Sequence, residues 1–444
     1  MTLNELKLKL RDAGVAGAGG AGFPAYAKLT DKADTIILNC AECEPLLKLH
    51  RQVLAEYAYE ILSALNSIKE ATGAKDVIIA LKETYKDAIN AVNSVLDKFN
   101  NFRISYLPEI YPAGDEVVTI YETTGRIVPP GTLPITVGVT VFNVETALNI
   151  YNAITYDSPV THSYVTITGA VNNPITVKAP LGMSFKELIA LAGGSTLSEY
   201  SIINGGPMMG KLVNELDTVT KTTTALLVLP NNHQIVETKK TRVSISLKRA
   251  MASCCQCRSC TNTCSRNLLG HPIEPHAFMR SASSGGYIKD LTPLLNTFFC
   301  SGCGICELYS CPQGLSPRTL ITEYKMGLRK NGVPIPDDIK EPVVNKNRKM
   351  KLVPISRLTA RIGLSKYDNP APLTEMDIVP KSIRITYNQN IGAPPKAVVK
   401  KGDTVAIGQV IASVDEKSLG LPIHSPINGV VVDANEHYII INSK

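Results

Sequence analysis

The sequence predicts a multidomain α/β protein, and three observations carry that prediction. An apolar run at Thr35–Leu38, helical periodicity over Leu49–Ser67 and a second run at Val77–Leu81 give a β–α–β rhythm, which implies a parallel sheet. Nine of the eleven cysteines crowd between Cys254 and Cys311, the usual sign of bound metal. After Ala371 the chain reads as all β, with Gly-Asp turns between short alternating segments.

The whole chain sets the limits. Its 444 residues leave room for several domains, and its 44% hydrophobic content fits a globular protein. Met1 to Lys9 carries Glu5, Lys7 and Lys9 without an apolar block, so no cleavable signal peptide is expected. The longest uncharged stretch, Ile127 to Val144, holds three prolines and three threonines, which argues against a membrane span and for a soluble chain. The formal charge is +7, but the basic residues are scattered and not interleaved with aromatics, so nucleic-acid binding is not expected. Without an export signal, eleven cysteines do not read as a disulfide framework.

Cys254, Cys257, Cys260 and Cys264 stand in a C-x2-C-x2-C-x3-C run, with Cys255 left over; Cys300, Cys303, Cys306 and Cys311 form C-x2-C-x2-C-x4-C-P. Three thiolates two residues apart on a tight loop can grip three corners of a cubane, leaving the fourth ligand to come from elsewhere. In two-cluster ferredoxins the fourth cysteine of each run serves the other cluster. That pattern assigns Cys254, Cys257, Cys260 and Cys311 to one [4Fe–4S] cluster and Cys300, Cys303, Cys306 and Cys264 to a second. Ser265 follows Cys264 where proline follows Cys311. Zinc is the alternative, but it needs only two C-x2-C pairs. Two neighbouring cubanes make a relay for single electrons, and a donor of electron pairs would then need a flavin.

The N-terminal part begins with Leu3, Leu6 and Leu10 at helical spacing, then G-V-A-G-A-G-G-A-G-F-P-A-Y-A-K from Gly14 to Lys28. This is neither a P-loop nor G-x-G-x-x-G after a strand. Its glycines let backbone approach a flat or phosphorylated ligand, and Lys28 supplies a positive charge. N-C-A-E-C-E-P (Asn39–Pro45) ends the first strand, and Y-P-A-G-D-E (Tyr111–Glu116) and F-N-V-E-T-A (Phe142–Ala147) follow.

Together these segments resemble the fold shared by the flavin subunit of respiratory complex I and the C subunit of the Rnf complex. The resemblance implies a Rossmann-like FMN/NADH domain. Gly17, Gly19, Gly20, Gly22 and Lys28 would line the flavin; Asn39, Glu42, Gly114, Glu116, Asn143 and Thr146 would complete the pocket. Phe23 and Glu44 would face the nicotinamide nucleotide. Cys40 and Cys43 read as pocket neighbours.

Tyr164–Thr168 and the following V-N-N-P-I-T-V read as a hairpin, with a short helix and I-I-N-G-G-P-M-M-G after it. This resembles the SLBB (β-grasp) domain of the same families. The tail resembles a barrel-sandwich hybrid domain of the biotinyl–lipoyl type, although Lys417 is spaced one residue too far from Ser425-Pro426 for a lipoyl site. The expected layout is 1–155 FMN/NADH domain, 156–235 SLBB domain, 245–330 ferredoxin-like helical domain with two clusters, 331–375 linker and 376–444 barrel-sandwich domain.

Domain order separates the candidates. The Rnf subunit carries its barrel-sandwich domain ahead of the flavin domain, whereas here it comes last. With L-L-G-H-P-I-E-P-H and C-P-Q-G-L-S-P after the two cysteine runs, the chain resembles the cobalamin reductases of propanediol-utilisation microcompartments. That implies electron flow from NADH through FMN and two clusters to cobalamin, a corrinoid adenosyltransferase as partner, and a cytoplasmic location within a bacterial microcompartment. A soluble arm of an Rnf-like ion pump and a non-catalytic relay or scaffold remain as alternatives.

Overall fold

In the N-terminal sheet, Thr35–Cys40 (β1), Asp76–Lys82 (β2), Phe102–Leu107 (β3) and Val139–Asn143 (β5) lie parallel in the order β3-β2-β1-β5. Ile110–Tyr111 (β4) stands outside it. The computed structural model describes residues 1–284, 289–337 and 339–444. Strand β1 is buried along its whole length, as a central parallel strand covered on both faces must be. Leu6 and Leu10 of the helix Leu3–Asp12 enter the same core as Ile36, Leu38 and Cys40. The helical stretch expected over Leu49–Ser67 is two helices, Leu49–Glu56 and Ala58–Thr72, because Tyr57 leaves helical geometry at φ −120°, ψ 38°. The break lets the second helix turn to lie along the sheet.

The middle sheet runs β7-β6-β10-β8-β9, built from His162–Gly169 (β6), Ile175–Pro180 (β7), Tyr200–Asn204 (β8), Lys211–Val213 (β9) and Ala225–Pro230 (β10). Strands β6 and β7 form the expected antiparallel hairpin. The helix Phe185–Leu191 starts with a reciprocal capping box between Ser184 and Glu187. The cysteine-rich part is helical, and the helix Pro317–Lys330 follows it.

The segment after this helix wraps across the other units. Val353–Pro354 pairs antiparallel with β4, and Thr374 N–H donates to Thr176 carbonyl at 2.8 Å. The tail folds as two small sheets around Ile383, Ile385, Ile411, Ile423, Ile439 and Ile441. Lys417 lies in a turn whose neighbours dock on the first unit: Arg11 Nη2 donates to Asp415 carbonyl at 2.9 Å. Lys221, buried, donates to the carbonyls of Gly14 and Pro422 at 2.8 Å each, so one ammonium ties three units together.

Candidate electron-transfer site

Strand order reverses between β1 and β5, since β1 leads outward to β2 and β3 while β5 joins on the other side. In an open parallel sheet the crevice beyond the carboxyl ends of such a pair is where ligands bind. Asn143 ends β5, and its register partner Asn39 is the last residue but one of β1. Asn39 Nδ2 donates to Gly114 carbonyl at 2.9 Å, and its Oδ1 accepts from Ala41 N–H at 3.1 Å. The glycine loop is sewn to the same point: Ala18 N–H donates to Thr146 Oγ1 at 2.9 Å, and the Asn143 amide donates to Ala18 carbonyl. Lys28 Nζ donates to Val141 carbonyl at 3.0 Å and lies 3.4 Å from Glu116 Oε1. Gly17, Gly19, Lys28, Asn39, Gly114, Glu116, Asn143 and Thr146 therefore share one end of the sheet, with Gly20 exposed beside them and Phe23 half-buried, its carbonyl accepting from Gly17 N–H.

Three sequence-derived residues are placed differently. Gly22 turns toward the other units: its carbonyl accepts from Ile391 N–H at 3.0 Å, and an added Cβ would stand 2.9 Å from the Thr222 methyl. Glu42 directs its carboxylate at the start of the helix Leu49–Glu56, accepting from His50 N–H at 2.9 Å with Arg51 Nε 3.6 Å away. Glu44 bridges from Tyr111, whose OH lies 3.4 Å from Oε1, to the middle unit. Its carboxylate accepts from the N–H groups of Met208 and Met209 at 2.8 and 3.0 Å, inside the loop that follows β8. Gly206 makes that approach possible, because a Cβ there would fall 2.1 Å from Glu44 Oε2. Burial pushes the Glu44 carboxyl above its ordinary range, against the pull of the two amides.

His50 belongs to no motif of the sequence. Its Nε2 is buried without a hydrogen-bond partner and lies 3.1 Å from where a Gly19 Cβ would stand, at a left-handed φ of +75°. An orphaned imidazole nitrogen beside a cradle that only glycine leaves open fits a bound polar group such as a flavin phosphate.

The cysteines gather as two quartets. Cys254, Cys257, Cys260 and Cys311 line one pocket together with Cys255 and Pro312. Cys264 sits with Cys300 and Cys303: burial first, then those sulfurs' charge, push its thiol up to about 12. Cys306 is raised by burial and by the same three sulfurs. Thiols so disfavoured as thiolates need a cationic centre to hold them. Among the described residues no three His, Cys, Asp or Glu groups close on a point fit for a single metal ion. Four thiols in each group match the ligand count of a [4Fe–4S] cluster. Backbone N–H groups of Gly302 and Leu315 reach Cys300 and Cys311 Sγ at 3.3 and 3.4 Å. Cys40 packs in the core of the parallel sheet, while Cys43 packs against the other two cores, so they share no site. His271 and His276 are buried, bonded to Val128 carbonyl and Thr261 Oγ1.

Two contacts join the crevice to the cysteine loops. Asp115 caps the helix Glu116–Thr124 and forms a buried ion pair with Arg266, two residues after Cys264, at 2.9 Å. Tyr111 OH donates to Cys303 carbonyl at 2.7 Å. The Y-P-A-G-D-E segment thus touches both the crevice and the second quartet.

The comparisons with known proteins agree with this anatomy. The Nuo51 FMN-binding domain matches residues 10–152, the SLBB domain 164–212, the 4Fe-4S dicluster domain 253–316 and the RnfC barrel sandwich hybrid domain 365–444. Together the flavin and dicluster modules define an oxidoreductase that uses FMN and [4Fe–4S] clusters. The chain is 43% identical to cobalamin reductase PduS of Citrobacter freundii, covering 98% of this chain and 96% of that one. It is 41% identical to cobalamin reductase PduS of Salmonella typhimurium, covering 99% and 97%. It belongs to the cobalamin reductase family of these relatives. Among solved structures, an NAD+-reducing [NiFe]-hydrogenase overlaps 83% of this chain and 68% of its own, with TM-score 0.48 and 17% identity.

Proposed function

We propose that this protein takes electrons from NADH and delivers them singly to cobalamin. The observation that carries the reading is the Y-P-A-G-D-E segment, which contacts the crevice through Gly114 and the cysteine loops through Tyr111 and Asp115. Bound FMN and two clusters would supply the redox chemistry, converting a hydride into single electrons. Gly17, Gly19, Gly20, Lys28, Asn39, Gly114, Glu116, Asn143 and Thr146 would hold the FMN, with Glu42 positioning His50 beside the glycine loop. Phe23 would meet the nicotinamide nucleotide. Cys254, Cys257, Cys260 and Cys311 would hold one cluster, and Cys300, Cys303, Cys306 and Cys264 the other. Within the second quartet Cys306 is buried and the other three cysteines are half-buried.

In this reading the reduced corrinoid feeds a corrinoid adenosyltransferase in the cytoplasm, inside a bacterial microcompartment, as the resemblance of the motifs implies. Among the described residues no helix is long and apolar enough to cross a membrane. The test is a visible spectrum of anaerobically purified protein before and after NADH, with iron and flavin quantified. The expected result is about eight irons and one FMN per chain, with bleaching by NADH. Iron without flavin or bleaching would replace the proposal with a relay fed by a partner.

A further inference from the structure

Neither the crevice nor the quartets fix where the acceptor binds, and two cavities compete for it. The larger, about 840 Å³, lies between Arg51, Tyr85, Tyr164, Lys178 and the segment around Glu375 and Asp377. No cluster cysteine and no neighbour of one lines it. The smaller, about 530 Å³, is an open basin on the cysteine-rich unit. Both volumes suit small molecules, but only the basin adjoins the relay.

Its floor is made by sequence neighbours of ligands from both quartets. Ser259 and Thr263 flank Cys260 and Cys264, while Ser310 and Pro312 flank Cys311. Thr263 Oγ1 and Ser310 Oγ are hydrogen-bonded at 2.5 Å, stitching the two runs together where their fourth cysteines cross. Its wall is the helix Ile355–Arg361, which presents Arg357 and Arg361 to the basin. Four residues apart, they share one helix face. Both are exposed, and among the described residues neither has a carboxylate within 4.0 Å. No acidic side chain lines the basin; the other groups are hydroxyls, the Asn262 amide, Tyr309 and Pro312.

Two unpaired guanidiniums over a floor of uncharged donors and acceptors form a site for a phosphate-bearing ligand rich in amides. We propose that this basin is the acceptor site, in which Arg357 and Arg361 grip the phosphodiester of a corrinoid's nucleotide loop while Ser259, Asn262 and Thr263 meet its peripheral carboxamides. This rests on cobalamin being the acceptor. Each cobalt would take one electron from a cluster, with NADH as the source. The arginines are binding residues and lie outside the flavin crevice.

The test is equilibrium dialysis of the holoprotein with aquocobalamin and with cobinamide, which lacks the nucleotide loop and its phosphodiester. The wild type should bind cobalamin at least about tenfold more tightly than cobinamide, the ratio expected from one charge-assisted contact. Arg357→Gln/Arg361→Gln should lose that preference while leaving cobinamide binding and bleaching by NADH unchanged. Unchanged bleaching also shows that the variant folds. Equal binding of the two corrinoids by the wild type, or a variant that keeps the preference, overturns the assignment. Dialysis needs no electron flow, so failure of NADH bleaching would count against the proposed function and leave the binding result standing.

Discussion

Replacing Arg266 with alanine should loosen the second cysteine quartet from the flavin crevice. The guanidinium donates through Nε and Nη2 to Asp115 Oδ2 at 3.3 and 2.9 Å, and the two side chains are only 17% and 9% exposed. At that separation, with an effective dielectric of about 20, the attraction is roughly 6 kcal/mol, much of it offset by desolvation. Removing one partner of a buried pair typically costs about 3–5 kcal/mol. Asp115 would still accept from Val117 and Val118 N–H at 3.0 and 3.3 Å, so Arg266→Ala belongs near the low end of that range. Asp115→Ala also loses the helix cap, adding about 1 kcal/mol. Because both remove the same pair, the double variant should cost no more than Asp115→Ala, a coupling of about 3 kcal/mol. A chain of several units lacks one global unfolding energy, so the assay is hydrogen exchange at the amides of Ser265–Leu268. Their exchange should speed up about a hundredfold in Arg266→Ala, and clusters should bleach more slowly than flavin after NADH. Additive single-variant effects, or unchanged cluster reduction, would refute the reasoning.

Cys264→Ala should lower iron content by about half while Cys255→Ala leaves it unchanged; equal losses would point to a different ligand set. Burial raises the Glu145 carboxyl to about 7, where Oε1 accepts from Ser163 Oγ and Tyr164 N–H and Oε2 has no partner. Since the folded value lies above the ordinary 4.5, its contribution is fully present below that pH and is lost as pH rises through 7, by at most about 3 kcal/mol. Glu145→Gln should therefore flatten the pH dependence of hydrogen-exchange protection around Ser163 and Tyr164 between pH 4.5 and 7, and an unchanged slope would exclude Glu145 as its source. Gly206→Ala, which sets a methyl 2.1 Å from Glu44 Oε2, should cost about 1–3 kcal/mol and expose the Met208–Met209 amides to exchange. Protection equal to wild type there would mean that Glu44 does not hold the loop.

Much of the site was legible because it is encoded locally. Two residues between thiols, a glycine-dense loop after a helix, and polar residues at strand ends are set by bond lengths, backbone sterics and sheet alternation, which act over a few residues. The parallel sheet and the polar residues near the ends of β1 and β5 were readable for that reason, as was the crowding of cysteines. Sequence could not show that Leu49–Ser67 breaks at Tyr57, because the break answers to how two helices must cover one sheet. Nor could it show the partners of Glu44, since the Met208 and Met209 amides that donate to its carboxylate lie more than 160 residues away. His50 carries no motif and is marked only by an unpartnered nitrogen beside Gly19. The sequence alone determined which chemical groups the protein carries, since donor type and short spacing are covalent properties. Tertiary structure decided which of them meet, through Tyr111 on Cys303, Asp115 on Arg266 and Lys221 among three units, because contacts between distant segments exist only once packing has fixed both.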